Sequence, residues 1–91
     1  MEKLIKDEKN IIIDVRSQGE FAGGHVVGSK NIPLNEIPEK LNELKEINNE
    51  IILCCASGNR SGQATAFLQQ NGFNNVHNGG GWMDVNFHKN R

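Results

Sequence analysis

The chain has almost no net charge, only two cysteines among its 91 residues, and no apolar run that approaches a membrane span. Ten Lys and Arg stand against eleven Asp and Glu, a net charge of −1, and the pI lies near 6.3. That balance excludes modes of binding that depend on a strongly basic surface, nucleic acid first among them. The longest apolar runs are Ile11-Ile12-Ile13 and Ile51 to Ala56, far short of the roughly 20 residues a span requires. A mean hydropathy of −0.54 agrees. Met1 is not followed by a basic segment leading into an apolar one, so no secretory signal is read there. The two cysteines, Cys54 and Cys55, are adjacent. Neighbouring Cα atoms lie about 3.8 Å apart, whereas a disulfide asks for about 4.4–6.8 Å, so both are read as free thiols and a cytoplasmic location is expected. At this length a single domain, 1–91, is expected, with roughly 60% of the unfolded surface buried.

What is present reads as alternating strand and helix. Ile11-Ile12-Ile13-Asp14-Val15 and Ile51-Ile52-Leu53-Cys54 are short β-branched or apolar runs, the pattern of strands covered on both faces. Between them Ile37, Leu41, Leu44 and Ile47 recur at helical spacing among Glu, Lys and Asn, predicting one amphipathic helix entered through Pro33-Leu34-Asn35 and Pro38. A second helix is predicted over Ser61 to Gln70, with Ala64, Phe67 and Leu68 inward and Asn71-Gly72 as its left-handed cap. Asn75-Val76-His77 is expected as a last short strand, followed by Gly79-Gly80-Gly81 and a closing helix from Trp82 to Phe87. Met1 to Glu8 leave little room for a strand and are expected as a short helix or arm. The fold class is therefore α/β with a small parallel sheet.

The segment from Ile51 to Gly62 carries the chemistry. A buried strand runs into small residues and a helix begins at once, which places Cys55 at the carboxyl edge of the sheet where open α/β sheets bind ligands. Amides of the loop and helix start would converge above it, an array that favours an anion and also a thiolate. Ala56, Ser57 and Gly58 let the backbone curl without filling the cradle. Strand alternation puts Cys54 on the opposite face, as an inert core thiol.

In their order along the chain, four pieces resemble the rhodanese-type sulfurtransferases: Asp14-Val15-Arg16 with Glu20-Phe21; Gly24 to Ser29 followed by Asn31-Ile32-Pro33-Leu34; Cys55-Ala56-Ser57-Gly58-Asn59-Arg60-Ser61; and Gly72-Phe73 with Val76 and Gly79 to Trp82. The resemblance implies a minimal version of that fold, a parallel sheet with helices on both faces. It also implies sulfur transfer through a persulfide on Cys55, with no cofactor. Cys55 would take a sulfane sulfur from thiosulfate or a similar small anionic donor. It would pass that sulfur to cyanide, a thiol or a partner protein. The amides of Ala56 to Ser61 would hold the anion. Arg60 would anchor the anion or brace the loop. A monomer is expected. Ala56 stands where many members carry a cation, which keeps open a second reading, a non-catalytic rhodanese-like binding or sulfur-carrier module.

Related cysteine phosphatases use a loop one residue longer, whereas four residues separate Cys55 from Arg60, so phosphatase chemistry is not expected. His25, His77 and His88 share no metal-ligand spacing with one another or with the cysteines, and no metal site is expected. His25 is read as a turn histidine bonded to backbone and Trp82 as packing. Asp14, Arg16 and Glu20 are read as structural, an ion pair with loop hydrogen bonds, and a pairing of Arg16 with Glu20 would matter only if buried. Gly79-Gly80-Gly81 is read as room for backbone to pass close to the loop. The Glu- and Lys-rich face around Lys40 and Lys45 is read as solvated.

Overall fold

In the computed structural model, which describes residues 1–91, strand and helix alternate as expected. The elements are α1 (Glu2–Lys6), β1 (Ile11–Asp14), α2 (Gln18–Ala22), β2 (Lys30–Asn31), a 3-10 segment (Leu34–Lys40), α3 (Leu41–Lys45), β3 (Ile51–Cys55), α4 (Asn59–Gln70), β4 (Val76–Gly81) and α5 (Trp82–Lys89). The strands form one sheet in the order β2-β1-β3-β4, every pair parallel. Their carboxyl ends, and the loops that leave them, therefore gather at one edge.

The apolar runs of β1 and β3 are buried because each face of the sheet is covered. On one face Ile13, Val15, Leu53 and Cys55 pack with Ile37, Leu44, Ala64 and Leu68 from the 3-10 segment, α3 and α4. On the other Ile12, Ile52 and Cys54 pack with Ile5 of α1, Val26 and Val85 of α5. The first residues thus form a helix, whose Ile5 closes the second core. No helix is long and apolar enough to cross a membrane.

Helix α4 ends as its sequence dictates. Gly72 takes φ +91, its N–H donates to the Gln69 carbonyl and the Phe73 N–H to the Leu68 carbonyl, which is the paired bonding of a Schellman end. Phe73 then packs into the same core as Leu68. Of the residues expected inward, Ala64 and Leu68 are fully buried, while Phe67 is only partly covered, and Ser61 and Thr65 are the other buried positions of α4.

Two elements differ from expectation. The single amphipathic helix through Ile37 to Ile47 is instead a 3-10 segment followed by the five-residue α3. Pro38 lies inside the 3-10 segment, where it has no N–H to donate, and the break falls at Lys40 with φ −108 and ψ 9. The apolar spacing still works, since Ile37 and Leu44 both reach the core. The last strand is Val76–Gly81 and not Asn75 to His77. The glycines continue the ladder because β4 carries one extra residue: Leu53 faces Asn78 but Cys54 faces Gly80, so Gly79 is the bulged residue.

Candidate active site

The loop Ala56 to Gly58 connects the carboxyl end of β3 to the start of α4. Gly58 is the N-cap of α4 and has φ +97, a conformation side chains resist, and a Cβ there would stand 3.3 Å from the Gly80 Cα. This tight cap folds the loop back over the last residue of β3. Cys55 Sγ then accepts the Gly58 N–H at 3.0 Å and the Ser61 N–H at 3.3 Å, with the Ser61 hydroxyl also 3.3 Å away. Cys55 is 1% exposed, so its sulfur forms the floor of the loop.

The two adjacent thiols are driven in opposite directions. Burial pushes the Cys54 thiol up to about 12, and the nearby carboxylate of Asp14 adds to this. Burial also opposes ionisation of Cys55. The hydrogen bonds from the Ser61 hydroxyl and the Ser61, Ser57 and Gly58 amides outweigh it and leave that thiol below its ordinary value. The arrangement is a thiol held in an array of donors that favours its thiolate form.

The remaining loop residues divide. Ala56 and Ser57 form the exposed lip. Asn59 turns outward, its Oδ1 accepting from Gln63 Nε2 at 3.0 Å. Arg60 does not reach the sulfur. Its guanidinium makes a two-pronged ion pair with Glu20, Nη1 to Oε1 at 2.8 Å and Nη2 to Oε2 at 3.0 Å. Glu20 also completes the capping box of α2 with Ser17, so the pair ties α4 to α2 across the mouth of the loop. Arg60 and the hydrogen bonds to Ser17 hold the Glu20 carboxyl down to about 2. A hollow of about 570 Å³ adjoins Arg60 and includes Val15, Ser17, Pro33 and Leu34 in its lining.

The structural ion pair expected at the end of β1 is present, and Glu20 is not its acidic member. Arg16 instead closes on Asp14, Nη2 to Oδ2 at 2.7 Å and Nε to both carboxylate oxygens at 3.0 Å, and both residues are buried. Two residues apart at the end of β1, they meet because Arg16 folds back over the strand end, whereas Glu20 is already committed to Arg60. Arg16 also donates to the Gly24 carbonyl at 2.6 Å and lies 4.8 Å over the Trp82 ring. Trp82 is thus packing, as read. His25 is the turn histidine expected, its Nδ1 2.7 Å from the Phe21 carbonyl and its ring stacked on Phe21. The glycines after Asn78 do bring backbone close to the loop, for a Cβ on Gly81 would stand 3.0 Å from the Ala56 carbonyl.

Asn78 is the residue the sequence reading passed over. Its Oδ1 accepts from the Ser61 hydroxyl at 2.6 Å and the Gly80 N–H at 3.0 Å, and its Nδ2 donates to the Gly58 carbonyl at 3.1 Å. It therefore touches Gly58 and Ser61, whose amides stand 3.0 and 3.3 Å from the sulfur. Asn78 is at an exposed position of β4, and its separation of 17 residues from Ser61 hides the contact from sequence spacing.

The chain is similar to known proteins along most of its length. The model of the rhodanese-like domain matches residues 1–86. The thiosulfate sulfurtransferase PspE of Escherichia coli is 36% identical over 74 residues, covering 80% of this chain and 71% of that protein. A sulfurtransferase of Allochromatium vinosum is 31% identical over 77 residues, 85% of this chain and 71% of its own length. A solved structure described as a rhodanese with anions from E. coli superposes with a TM-score of 0.75 at 36% identity, covering 82% of this chain and 89% of that one. Two relatives from Bacillus subtilis are longer, and the chain spans 52% and 41% of their lengths.

Proposed function

Because the chain belongs to the rhodanese-like domain family, whose relatives here include sulfurtransferases, we propose that it moves a sulfane sulfur through a persulfide on Cys55. The observation that carries this reading is the sulfur of Cys55 held by two amides and a hydroxyl at the floor of a loop between a strand and a helix start. Those donors favour the thiolate, which is the nucleophilic form.

In the first half-reaction the Cys55 thiolate attacks the outer sulfur of thiosulfate or a similar donor. A bond forms between the two sulfurs, the donor's S–S bond breaks, and its electron pair leaves on sulfite. Amides of Ala56 to Ser61 supply the positive ends of backbone dipoles to the anion, and losing one such donor costs about 10²–10³ in rate where it acts in the transition state. In the second half-reaction a thiolate or cyanide attacks the outer sulfur and Cys55 leaves as thiolate. The depth of Cys55 suits this division of labour. The outer sulfur projects about 2 Å beyond Sγ, toward the lip, where a larger acceptor meets it. Arg60 acts by bracing the loop through Glu20 and by adding positive charge near its mouth.

The test is an intact mass after incubation with thiosulfate and rapid desalting without reductant, with wild type and Cys55→Ser side by side. A gain of one sulfur atom that needs Cys55 and is discharged by cyanide is the expected result. A reduced, folded protein that gains nothing with thiosulfate, and nothing with other sulfane donors, would refute the persulfide reading.

A further inference from the structure

Ser61 offers a single hydroxyl proton to two acceptors. Its Oγ lies 3.3 Å from Cys55 Sγ and 2.6 Å from Asn78 Oδ1. The orientation of the Asn78 amide is settled by its other neighbours. The Gly80 N–H can only donate and sits 3.0 Å from Oδ1, while Nδ2 faces the Gly58 carbonyl, which can only accept. Oδ1 is therefore the acceptor facing Ser61. Ser61 and Cys55 are 0% and 1% exposed, so their contact is closed to bulk water, whereas Asn78 meets Ser61 from an exposed position of β4.

With Cys55 as the thiol, the donors run in one direction, S–H to the Ser61 oxygen and Ser61 O–H to Asn78; in the persulfide Sγ has no proton to give and is the weaker of the two acceptors facing Ser61. Once charge gathers on Sγ the same proton serves better there, since a hydrogen bond to an ion is roughly twice as strong as one between neutral groups. Rotation of the hydroxyl alone makes the change. We propose that Asn78 is a positioning residue for sulfur transfer: it holds the Ser61 proton while Sγ is uncharged, as thiol or as inner sulfur of the persulfide, and releases it to Sγ as that atom becomes a thiolate. This rests on the reading of Cys55 as the sulfur-carrying nucleophile.

The device acts chiefly in the second half-reaction. An acceptor thiolate bonds to the outer sulfur, the persulfide S–S bond breaks, and its electron pair passes to Sγ. Negative charge reaches Sγ only as the bond breaks, so a donor that turns toward it then stabilises the transition state more than the ground state.

The experiment is a double-mutant cycle read by the pH dependence of Cys55 alkylation with iodoacetamide, the adduct located by peptide mass. The midpoint of that profile reports ionisation whatever the access to the sulfur. Ser61→Ala moves the midpoint up and Ser61→Thr restores it. Asn78→Ala removes the rival acceptor, so it moves the midpoint down and speeds alkylation on the acid side by about threefold, the scale of one modest hydrogen bond. In the Ser61→Ala background the same change has no effect. Slowing by Asn78→Ala, or an equal effect in both backgrounds, makes Asn78 a brace only and overturns the proposal. So does a Ser61→Ala variant whose midpoint stays in place. Should Asn78→Ala not fold, Asn78→Asp keeps an acceptor for the proton and must slow alkylation more with Ser61 present than in the Ser61→Ala background. Wild-type loading by thiosulfate is scored in parallel. Loading with a flat cycle removes this inference alone, whereas a positive cycle without loading keeps the Ser61–Asn78 exchange and removes the sulfur-transfer reading.

Discussion

Cys54 and Cys55, consecutive in β3, place their sulfurs on opposite faces of the sheet, Cys54 among Ile5, Ile12, Val26 and Val85 and Cys55 under the loop that Gly58 and Ser61 close. The first has no hydrogen-bond donor to its sulfur and is pushed by burial to about 12; the second is drawn below the ordinary thiol value by the donors around it. Alkylation at neutral pH is therefore expected to label Cys55 and leave Cys54 intact while the protein is folded. Cys55→Ser should abolish sulfur loading and Cys54→Ser should keep most of it. Peptide mapping and intact mass check both statements, and equal losses in the two variants would place the nucleophile wrongly.

The ion pair of Arg60 with Glu20 gives a second expectation. If Arg60 works by bracing the loop, Glu20→Gln should weaken thiosulfate loading in the same direction as Arg60→Ala, though by less. If loading in Glu20→Gln equals or exceeds that of wild type, Arg60 instead meets the anion directly. The pair also marks a pH window. The Glu20 carboxyl is lowered from 4.5 to about 2 on folding, so its contribution to stability is complete above about 4.5 and is lost as pH falls through about 2. The pair is exposed and the contribution accordingly small. Melting temperatures of wild type and Glu20→Gln should differ near neutrality and converge toward pH 2.

Much of this arrangement was legible in the residues, for reasons that also explain what was not. Strands β1 and β3 read clearly because β-branched runs buried on both faces leave an uninterrupted apolar pattern. The end of α4 read clearly because Asn71-Gly72 is a local cap. The 3-10 segment did not, since the apolar spacing of Ile37, Leu41 and Leu44 is compatible with a helix and only the placement of Pro38 in the turn decides otherwise. The full length of β4 is not legible because glycine reads as a breaker, while here it accommodates a bulge and a close backbone contact. At the site, Cys55 and Ser61 stand six apart in one loop and could be found by spacing. Glu20 lies 40 residues from Arg60 and Asn78 lies 17 from Ser61, and only strand pairing and helix docking bring them together.

The buried pair of Asp14 with Arg16 predicts a large stability effect that is not catalytic. Arg16→Leu leaves the Asp14 carboxylate buried with only the backbone N–H of residue 16 at 3.0 Å, and it also strips the Gly24 carbonyl and the Trp82 ring of their partner. Removing one member of such a pair costs about 3–5 kcal/mol. Arg16→Lys should recover only part of this, because an ammonium cannot reproduce the Nε and Nη2 contacts together. Urea unfolding of the three proteins measures it, and a loss below about 1 kcal/mol for Arg16→Leu would show that the pair contributes little.

Gly79 and Gly81 separate the demands of the core from those of the loop. Neither has the positive φ that resists a side chain, so an alanine at each position tests space alone. A Cβ on Gly79 would stand 2.6 Å from Ile52 Cγ2 and 3.0 Å from Val85 Cγ2, inside the second core. That overlap forces a close-packed layer to shift, and Gly79→Ala should cost about 1–3 kcal/mol in denaturant unfolding. At Gly81 the nearest atom is the Ala56 carbonyl oxygen, 3.0 Å away, which belongs to the loop over Cys55. The exposed loop can yield where the core cannot, so Gly81→Ala should leave the unfolding midpoint close to wild type. The displaced loop would then hold the Cys55 sulfur less well, and alkylation at neutral pH should slow. If Gly81→Ala destabilises as much as Gly79→Ala while alkylation is unchanged, the glycines serve packing alone and the loop position does not depend on β4.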